Sequence, residues 1–311
     1  MLQWISPELD AVTLNGWLKM SVLSLVTGLL SACSGQKLLN NLTVGTGYTR
    51  ASNIVFDDAT GLKTDVYTPA GADNAPIVVF FFGGRWSEGD KNLYEFVGAA
   101  LAKQGFVTVI PDYQLYPKVK FPAFVQDSAK ALRWARDNAG RYGGDANRLF
   151  VMGHSAGAYN AAMLATDESY LKAVGGTRQW LSGMIGLAGP YDFLPFTDAD
   201  IIDMFGPPAG YAATQPINHV DGKNPPMLLM HGEDDVSVFP KNTRNLANKI
   251  KAAGGAVETV FYPKLSHSWI VATLSTTLQG QSDVMRYTKD FVLRRSGLKP
   301  DVEPTPTTLP P

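Results

Sequence analysis

The chain has 311 residues, of which 45% are apolar and 18% charged, and its formal net charge at pH 7 is −1. This composition is typical of a globular protein with one large core, and the balanced charge, which contains no block of one sign, excludes the basic surface that nucleic-acid binding needs. The single cysteine, Cys33, excludes an intramolecular disulfide and a cysteine-based metal cluster.

The N-terminal part of the chain resembles a bacterial export signal. Residues 20–30 form an apolar run as long as the core of a signal peptide and too short to span a bilayer comfortably. The following Leu30-Ser31-Ala32-Cys33 resembles a lipobox, which implies acyl chains on Cys33 and a lipid-anchored protein in the cell envelope, on the periplasmic or outer-membrane face. Glu8 and Asp10 oppose this interpretation unless synthesis starts near Met20. A buried N-terminal helix is the alternative.

Four parts are expected in chain order: a signal peptide at 1–33, a polar tether at 34–49, a folded domain at 50–297 and a disordered tail at 298–311. Short apolar runs predict strands at 53–56, 62–67, 76–82, 106–110, 149–152, 184–187, 227–230 and 257–262. Between them we predict helices at 91–103, 122–139, 155–166, 240–253 and 282–294. Strands that alternate with helices predict an α/β domain, with a mostly parallel central sheet and helices on both faces.

A candidate nucleophile lies where the strand at 149–152 meets the next helix. Gly153-His154-Ser155-Ala156-Gly157 fits the pattern G-x-S-x-G. At such a turn the serine hydroxyl projects into a cleft, beside the N–H groups that begin the helix and can stabilise an oxyanion. The two glycines let strand and helix approach closely. The pattern therefore predicts Ser155 as a nucleophile, although five residues with three fixed positions also recur by chance.

A serine nucleophile needs a general base, and the chain has only four histidines. His154 lies inside the turn itself and cannot easily reach round to the serine hydroxyl. His219 lies in a polar loop, and His231 ends a predicted strand and is held in a turn. His267 follows the last predicted strand, where its side chain can reach the carboxyl-terminal edge of the sheet, so we expect His267 to be the base.

The base needs a carboxylate that fixes its tautomer and stabilises the imidazolium. Three acids follow the strand at 227–230, namely Glu233, Asp234 and Asp235. Asp235 is the expected partner, with Asp234 and Glu233 as alternatives, and the chain order serine, acid, histidine is that of α/β-hydrolases. Two backbone N–H groups are expected in the oxyanion hole: one from Ala156 and one from the Gly83-Gly84 loop.

Three further motifs also indicate an α/β-hydrolase. Phe82-Gly83-Gly84-Arg85-Trp86 is similar to a His-Gly-Gly-x-Trp motif, Pro111–Leu115 resembles Pro-x-Tyr-Arg-Leu, and Gly189-Pro190-Tyr191-Asp192 follows another strand. Over about residues 50–296 the chain resembles α/β-hydrolase carboxylesterases, a group that includes hormone-sensitive-lipase-like and kynurenine-formamidase-like enzymes.

The resemblance implies roles for particular residues. Ser155 would be the nucleophile, Asp235 and His267 its partners, and Gly83, Gly84 and Ala156 the oxyanion donors, without a metal or organic cofactor. Phe82 and Gln114 depart from the family, which usually has histidine and arginine there.

These observations predict a serine carboxylesterase whose partners are a small-molecule ester and, through the anchor, a membrane surface. The segment from Tyr191 to Pro225 is too short for a large lid, which favours short or accessible acyl esters.

An arylformamidase uses the same three residues on an amide and is the first alternative. A lipid-anchored, non-catalytic binding protein on the same fold is the second. A gated peptidase of the prolyl-oligopeptidase type would need a further domain. The sequence gives no indication of oligomeric state.

Overall fold

The computed structural model describes residues 35–43 and 45–299. The apolar run at 20–30, the lipobox with Cys33 and all but the first two residues of the predicted tail lie outside the described residues. Within the described ranges, no helix combines the length and the apolar character that crossing a bilayer requires.

One sheet of eight strands forms the centre of the domain. Its strands are β1 (Tyr48–Asp57), β2 (Leu62–Pro69), β3 (Ala75–Phe81), β4 (Val107–Pro111), β5 (Gly144–His154), β6 (Leu181–Leu187), β7 (Met227–Gly232) and β8 (Val257–Tyr262). They are arranged in the order β1-β2-β4-β3-β5-β6-β7-β8. The pairs β1–β2 and β2–β4 are antiparallel, and all the others are parallel. The predicted mostly parallel α/β architecture is therefore confirmed.

The helices pack around this sheet. They are α1 (35–41), α2 (Glu95–Lys103), α3 (Ala123–Asn138), α4 (Ala156–Thr166), α5 (Glu168–Ala173), α6 (Ala199–Phe205), α7 (Lys241–Ala252), α8 (His267–Ala272) and α9 (Val284–Arg295). Single 3₁₀ turns or short 3₁₀ helices lie at Lys91–Tyr94, Ala139–Tyr142, Arg178–Trp180, Pro208–Thr214, Pro216–His219 and Gln279–Gln281. All five predicted helices are present, whereas α1, α5, α6 and α8 were not predicted.

Burial follows the position of each strand in the sheet. All seven residues of β3 are buried, as are the last six of β5, because these two neighbours lie in the middle of the sheet. Strands covered on both faces need continuous apolar runs, which is the pattern that the sequence shows there. The edge strands β1 and β8 contain mostly half-buried or exposed residues.

The segment predicted to be a tether is partly folded. Residues 35–41 are helical, and Leu39 is buried in the core of the domain. The side chain of Asn40 donates to the carbonyl of Asn92 at 2.6 Å and accepts from the N–H of Phe96 at 2.9 Å. This second bond caps the start of α2, so α1 is attached to the domain through α2.

Candidate active site

Ser155 occupies a strained turn between β5 and α4. Its φ of 54° and ψ of −122° lie outside the regions that residues with a Cβ favour, and such strain clusters at functional sites. Its backbone N–H donates to the carbonyl of Leu187 at 2.9 Å, which ties the turn to the end of β6. A Cβ added to Gly157 would come within 2.0 Å of the Phe81 carbonyl oxygen, so only glycine permits this approach of α4 to β3.

His267 and Asp235 complete a continuous chain of hydrogen bonds with Ser155. His267 Nε2 lies 2.8 Å from Ser155 Oγ, and His267 Nδ1 lies 2.7 Å from Asp235 Oδ2. The carboxylate can only accept, so Nδ1 carries the proton and Nε2 is left to accept from the serine hydroxyl. The structure therefore brings together the three residues predicted to act together. His267 is the first residue of α8, whereas the sequence predicted a loop there.

Asp235 is held rigidly and away from solvent. Its side chain is buried, and Oδ1 accepts from the N–H groups of Ser237 at 2.9 Å and Val238 at 2.8 Å. Burial would raise the pKa of Asp235, but hydrogen bonds from two histidines and the backbone outweigh it and hold this pKa well below its ordinary value. The alternative acids Asp234 and Glu233 are exposed, and Glu233 pairs with Arg244.

A second histidine, His231, also contacts this carboxylate. It is fully buried, and its Nε2 lies 2.7 Å from the Val238 carbonyl oxygen and 3.2 Å from Asp235 Oδ2. Its Nδ1 lies 2.8 Å from Thr243 Oγ1. Because the carbonyl must accept, Nε2 carries the proton. Sequence reasoning placed His231 in a turn and missed this contact, because a spacing of four residues indicates a contact only within a helix, whereas His231 lies in β7.

The third histidine of the site, His154, supports His267 from the side of the turn. Its Nε2 donates to the backbone carbonyl of His267 at 2.9 Å, and the two ring centroids are 4.8 Å apart. Burial, and then repulsion from His267, lower the pKa of His154 to about 3, so this ring is neutral beside the base. His219 lies elsewhere, with Nε2 at 2.8 Å from the Ala213 carbonyl, and does not join the site.

The loop at residues 83–86, predicted to supply oxyanion donors and called the oxyanion loop here, lies against the serine. A Cβ on Gly83 would lie 3.0 Å from Ser155 Cβ, and one on Gly84, whose φ is +136°, would lie 2.0 Å from the Glu88 carbonyl oxygen. Ala156 is the first residue of α4, so its N–H has no carbonyl acceptor within the helix.

One of the three predicted donors is engaged elsewhere. The N–H of Gly83 donates to Tyr94 Oη at 3.3 Å. This bond occupies one of the three N–H groups predicted as oxyanion donors.

The two departures from the family pattern have distinct surroundings. Phe82 stacks on Tyr113 with ring centroids 4.4 Å apart, and Tyr113 Oη donates to the Phe82 carbonyl at 2.7 Å. Gln114 donates to Asp127 Oδ2 from both its backbone N–H and its side-chain amide, each at 3.1 Å. Each replacement is thus built into local contacts rather than left without partners.

A short segment between β6 and β7 borders the site. It contains α6 and two 3₁₀ helices but no large insertion, as the sequence predicted. Arg85 of the oxyanion loop pairs with Asp198 at 3.3 Å and Asp200 at 3.0 Å, which joins this segment to the loop. In the described part of the chain, no group of three or more His, Cys, Asp or Glu side chains could hold a metal ion.

Fold and site together define a serine hydrolase of the α/β-hydrolase class. The chain belongs to the BD-FAE family, whose model matches residues 64–250. It is 32% identical over 238 residues to the carboxylesterase NlhH of Mycobacterium tuberculosis, a match that covers 69% of this chain and 73% of that protein.

Other relatives and solved structures are also similar to the chain. The chain is 26% identical over 258 residues to an isoprenylcysteine alpha-carbonyl methylesterase of Arabidopsis thaliana. That match covers 74% of this chain but 59% of the methylesterase, so the chain spans little more than half of the plant relative. A truncated carbohydrate esterase from gut microbiota superposes with a TM-score of 0.70 at 21% identity, over 82% of this chain and 99% of the other. Apo esterase 2 of Thermogutta terrifontis superposes with a TM-score of 0.67 at 23% identity, over 82% of this chain and 97% of the other. The two structures share the fold.

Proposed function

We propose that the protein is a serine carboxylesterase that hydrolyses short or accessible acyl esters through an acyl-enzyme. The observation that carries this proposal is the chain of hydrogen bonds from Ser155 through His267 to Asp235, at 2.8 and 2.7 Å. These distances lie within the range expected of a nucleophile and its general base. The esterase names of the relatives, including a carboxylesterase at 32% identity, support the same reaction.

The first half of the reaction forms the acyl-enzyme. Ser155 Oγ attacks the ester carbonyl while His267 Nε2 takes the hydroxyl proton. Asp235 stays ionised, holds Nδ1–H and stabilises the imidazolium. The strained turn keeps Oγ beside the N–H of Ala156, which donates to the oxyanion of the tetrahedral intermediate. His267 then returns the proton to the leaving alcohol.

The second half repeats these steps with water. His267 Nε2 accepts a proton from a water molecule as that water attacks the acyl carbon, and the second tetrahedral intermediate collapses to release the acid and free Ser155. His154 is uncharged beside the imidazolium, so it adds no like charge where positive charge develops twice in each cycle.

The size of the segment that borders the site supports small or accessible substrates. Between β6 and β7 the chain contains one seven-residue helix and two 3₁₀ helices, which is too little to enclose a long acyl chain. The plant relative is named as a methylesterase of isoprenylcysteine, so its name supports a small leaving alcohol and does not bear on a short acyl group.

The direct test uses p-nitrophenyl acetate and butyrate with the protein from residue 34 onward. We expect a burst of p-nitrophenol equal to the enzyme concentration, followed by steady turnover. Ser155→Ala should lower the rate by roughly a million-fold, as removal of such a nucleophile does elsewhere. Equal rates for the two proteins would refute the esterase. An aryl formamide tested beside the esters would detect the arylformamidase alternative, which requires faster turnover of the amide.

We also propose, from the sequence alone, that the protein is a lipoprotein of the cell envelope, anchored through Cys33. The apolar run at 20–30 and the lipobox-like Leu30-Ser31-Ala32-Cys33 support this localisation. Expression of the full chain in a bacterium fed radiolabelled palmitate should label the protein, and Cys33→Ser should abolish the label. Labelling that persists in Cys33→Ser would contradict the anchor at this residue.

A further inference from the structure

The peptide unit between Phe82 and Gly83 is hydrogen-bonded at both of its polar ends. Tyr113 Oη donates to the Phe82 carbonyl at 2.7 Å, and the Gly83 N–H donates to Tyr94 Oη at 3.3 Å. A trans peptide is planar, with its C=O and N–H directed to opposite sides. Two tyrosine hydroxyls that bind these two groups therefore fix the rotation of the plane, and we call Tyr94 and Tyr113 the tyrosine clamp.

Aromatic packing holds the clamp in place. The Phe82 ring stacks on Tyr113 at 4.4 Å and on Tyr94 at 6.0 Å, and Tyr94 also packs against Phe80 and Phe96. Both tyrosine side chains are only 3% exposed, so little water competes for the two hydrogen bonds. Phe82 is the residue that replaces the histidine of the family motif, and its ring lies between the two tyrosines.

The orientation of this peptide decides which N–H groups can bind the oxyanion. The Gly83 N–H is directed to Tyr94 and is occupied there. The next N–H along the loop belongs to Gly84, and the Ala156 N–H begins α4 beside Ser155. We propose that Tyr94 and Tyr113 are positioning residues of the oxyanion hole, which here consists of the Gly84 and Ala156 N–H groups without that of Gly83. This inference rests on the proposed esterase function and goes beyond it.

Tyr113→Phe tests the clamp because it removes one hydroxyl and leaves the ring. Without its donor the peptide can turn, and the loop loses its fixed distance from Ser155. A misplacement of about 1 Å costs roughly 100-fold in rate, and loss of an oxyanion donor about 100- to 1,000-fold. We therefore expect kcat for p-nitrophenyl acetate, normalised to the titrated burst, to fall by about 10- to 100-fold, while the substrate dissociation constant from single-turnover kinetics stays unchanged. The oxyanion exists only after attack, so ground-state binding is spared.

A matched control separates positioning from general stability. Thr288 Oγ1 donates to the Val284 carbonyl at 2.8 Å inside α9 and is also buried, so Thr288→Val removes a hydroxyl-to-carbonyl bond away from the site. We expect Thr288→Val to keep the wild-type kcat per titrated site. A Tyr113→Phe protein with an unchanged kcat per titrated site would overturn the clamp. The wild-type burst tests the esterase itself, so the two failures remain distinguishable.

A structure of the wild-type protein inactivated by diethyl p-nitrophenyl phosphate tests the donor set directly and does not depend on any variant folding. The phosphoryl oxygen of the Ser155 adduct stands where the oxyanion forms. We expect this oxygen within about 3.2 Å of the Gly84 and Ala156 nitrogens, with Gly83 still bound to Tyr94. An adduct oxygen bound by the Gly83 nitrogen, with the Tyr94 bond broken, would refute the proposal.

Discussion

Asp235→Asn should inactivate the enzyme through the tautomer of His267 rather than through the fold. The amide oxygen of the asparagine can still accept from the N–H groups of Ser237 and Val238, which now bind Oδ1. The amide nitrogen must then replace Oδ2, which faces the N–H groups of His267 and His231. His231 cannot turn away easily, since its two nitrogens are bound by Thr243 and the Val238 carbonyl.

In Asp235→Asn the amide nitrogen donates to His267, so His267 must accept at Nδ1 and carry its proton on Nε2. This tautomer donates to Ser155 and cannot take its proton. The same substitution in a protease with this arrangement lowers kcat by roughly 10⁴, which corresponds to about 5.4 kcal/mol of barrier. We expect a similar loss here, because the carboxylate is as buried and as fully hydrogen-bonded as that role requires.

The assay is kcat for p-nitrophenyl acetate at pH 7 to 8, normalised to the titrated burst. Asp234→Asn is the matched control, since it makes the same chemical change one residue earlier at an exposed side chain, and we expect its kcat to match that of the wild type. A loss below about 10-fold in Asp235→Asn would refute the reasoning. A large loss confined to Asp234→Asn would transfer the role to that residue.

Three further predictions concern stability, each measured by urea unfolding. The pKa of His154 is about 3 in the folded protein and roughly 6.5 when unfolded, so only the unfolded chain binds this proton between those values. The free energy of unfolding should therefore fall by about 2 kcal/mol from pH 7 to pH 5. His154→Gln should remove this part of the pH dependence, and an unchanged pH dependence in that variant would contradict the lowered pKa. Ser155→Gly should be about 1 kcal/mol more stable than Ser155→Ala, because glycine tolerates the turn's φ of 54°, and equal midpoints would contradict the strain. Gly157→Ala should cost about 3 kcal/mol or more because its Cβ meets Phe81, and a neutral result would show that α4 can move.

The sequence predicted the sheet well because its signals are local. The apolar runs of β3 and β5, each followed by glycines, mark buried strands that end at a site, and all eight strands are observed. The missed helices α5, α6 and α8 have six or seven residues, which is too short for an apolar stripe to repeat. For that reason the sequence indicates a loop at His267, which in the structure begins α8.

The remaining features of the site depend on contacts between distant parts of the chain. Chain order and position after a strand were enough to select Ser155, Asp235 and His267. In contrast, the tyrosine clamp joins the Phe82–Gly83 peptide to residues 11 and 31 positions away. The residues next to a tyrosine in the sequence do not indicate such a bond. The proposed absence of Gly83 from the donor set depends on the orientation of one peptide plane, which a sequence pattern does not specify.

The hydrogen-bonded chain of Ser155, His267 and Asp235 crosses the sheet, so the protein becomes active only after distant segments have docked. Its three members follow β5, β7 and β8, and the oxyanion loop follows β3, so the residues that meet are up to 112 positions apart along the chain. Contacts of such long range form late, because much chain entropy is lost before they can stabilise anything. Activity therefore requires all the strands from β3 to β8 in the sheet order to be docked. A chain with native helices but an undocked β8 would contain Ser155, Asp235 and His267 and remain inert.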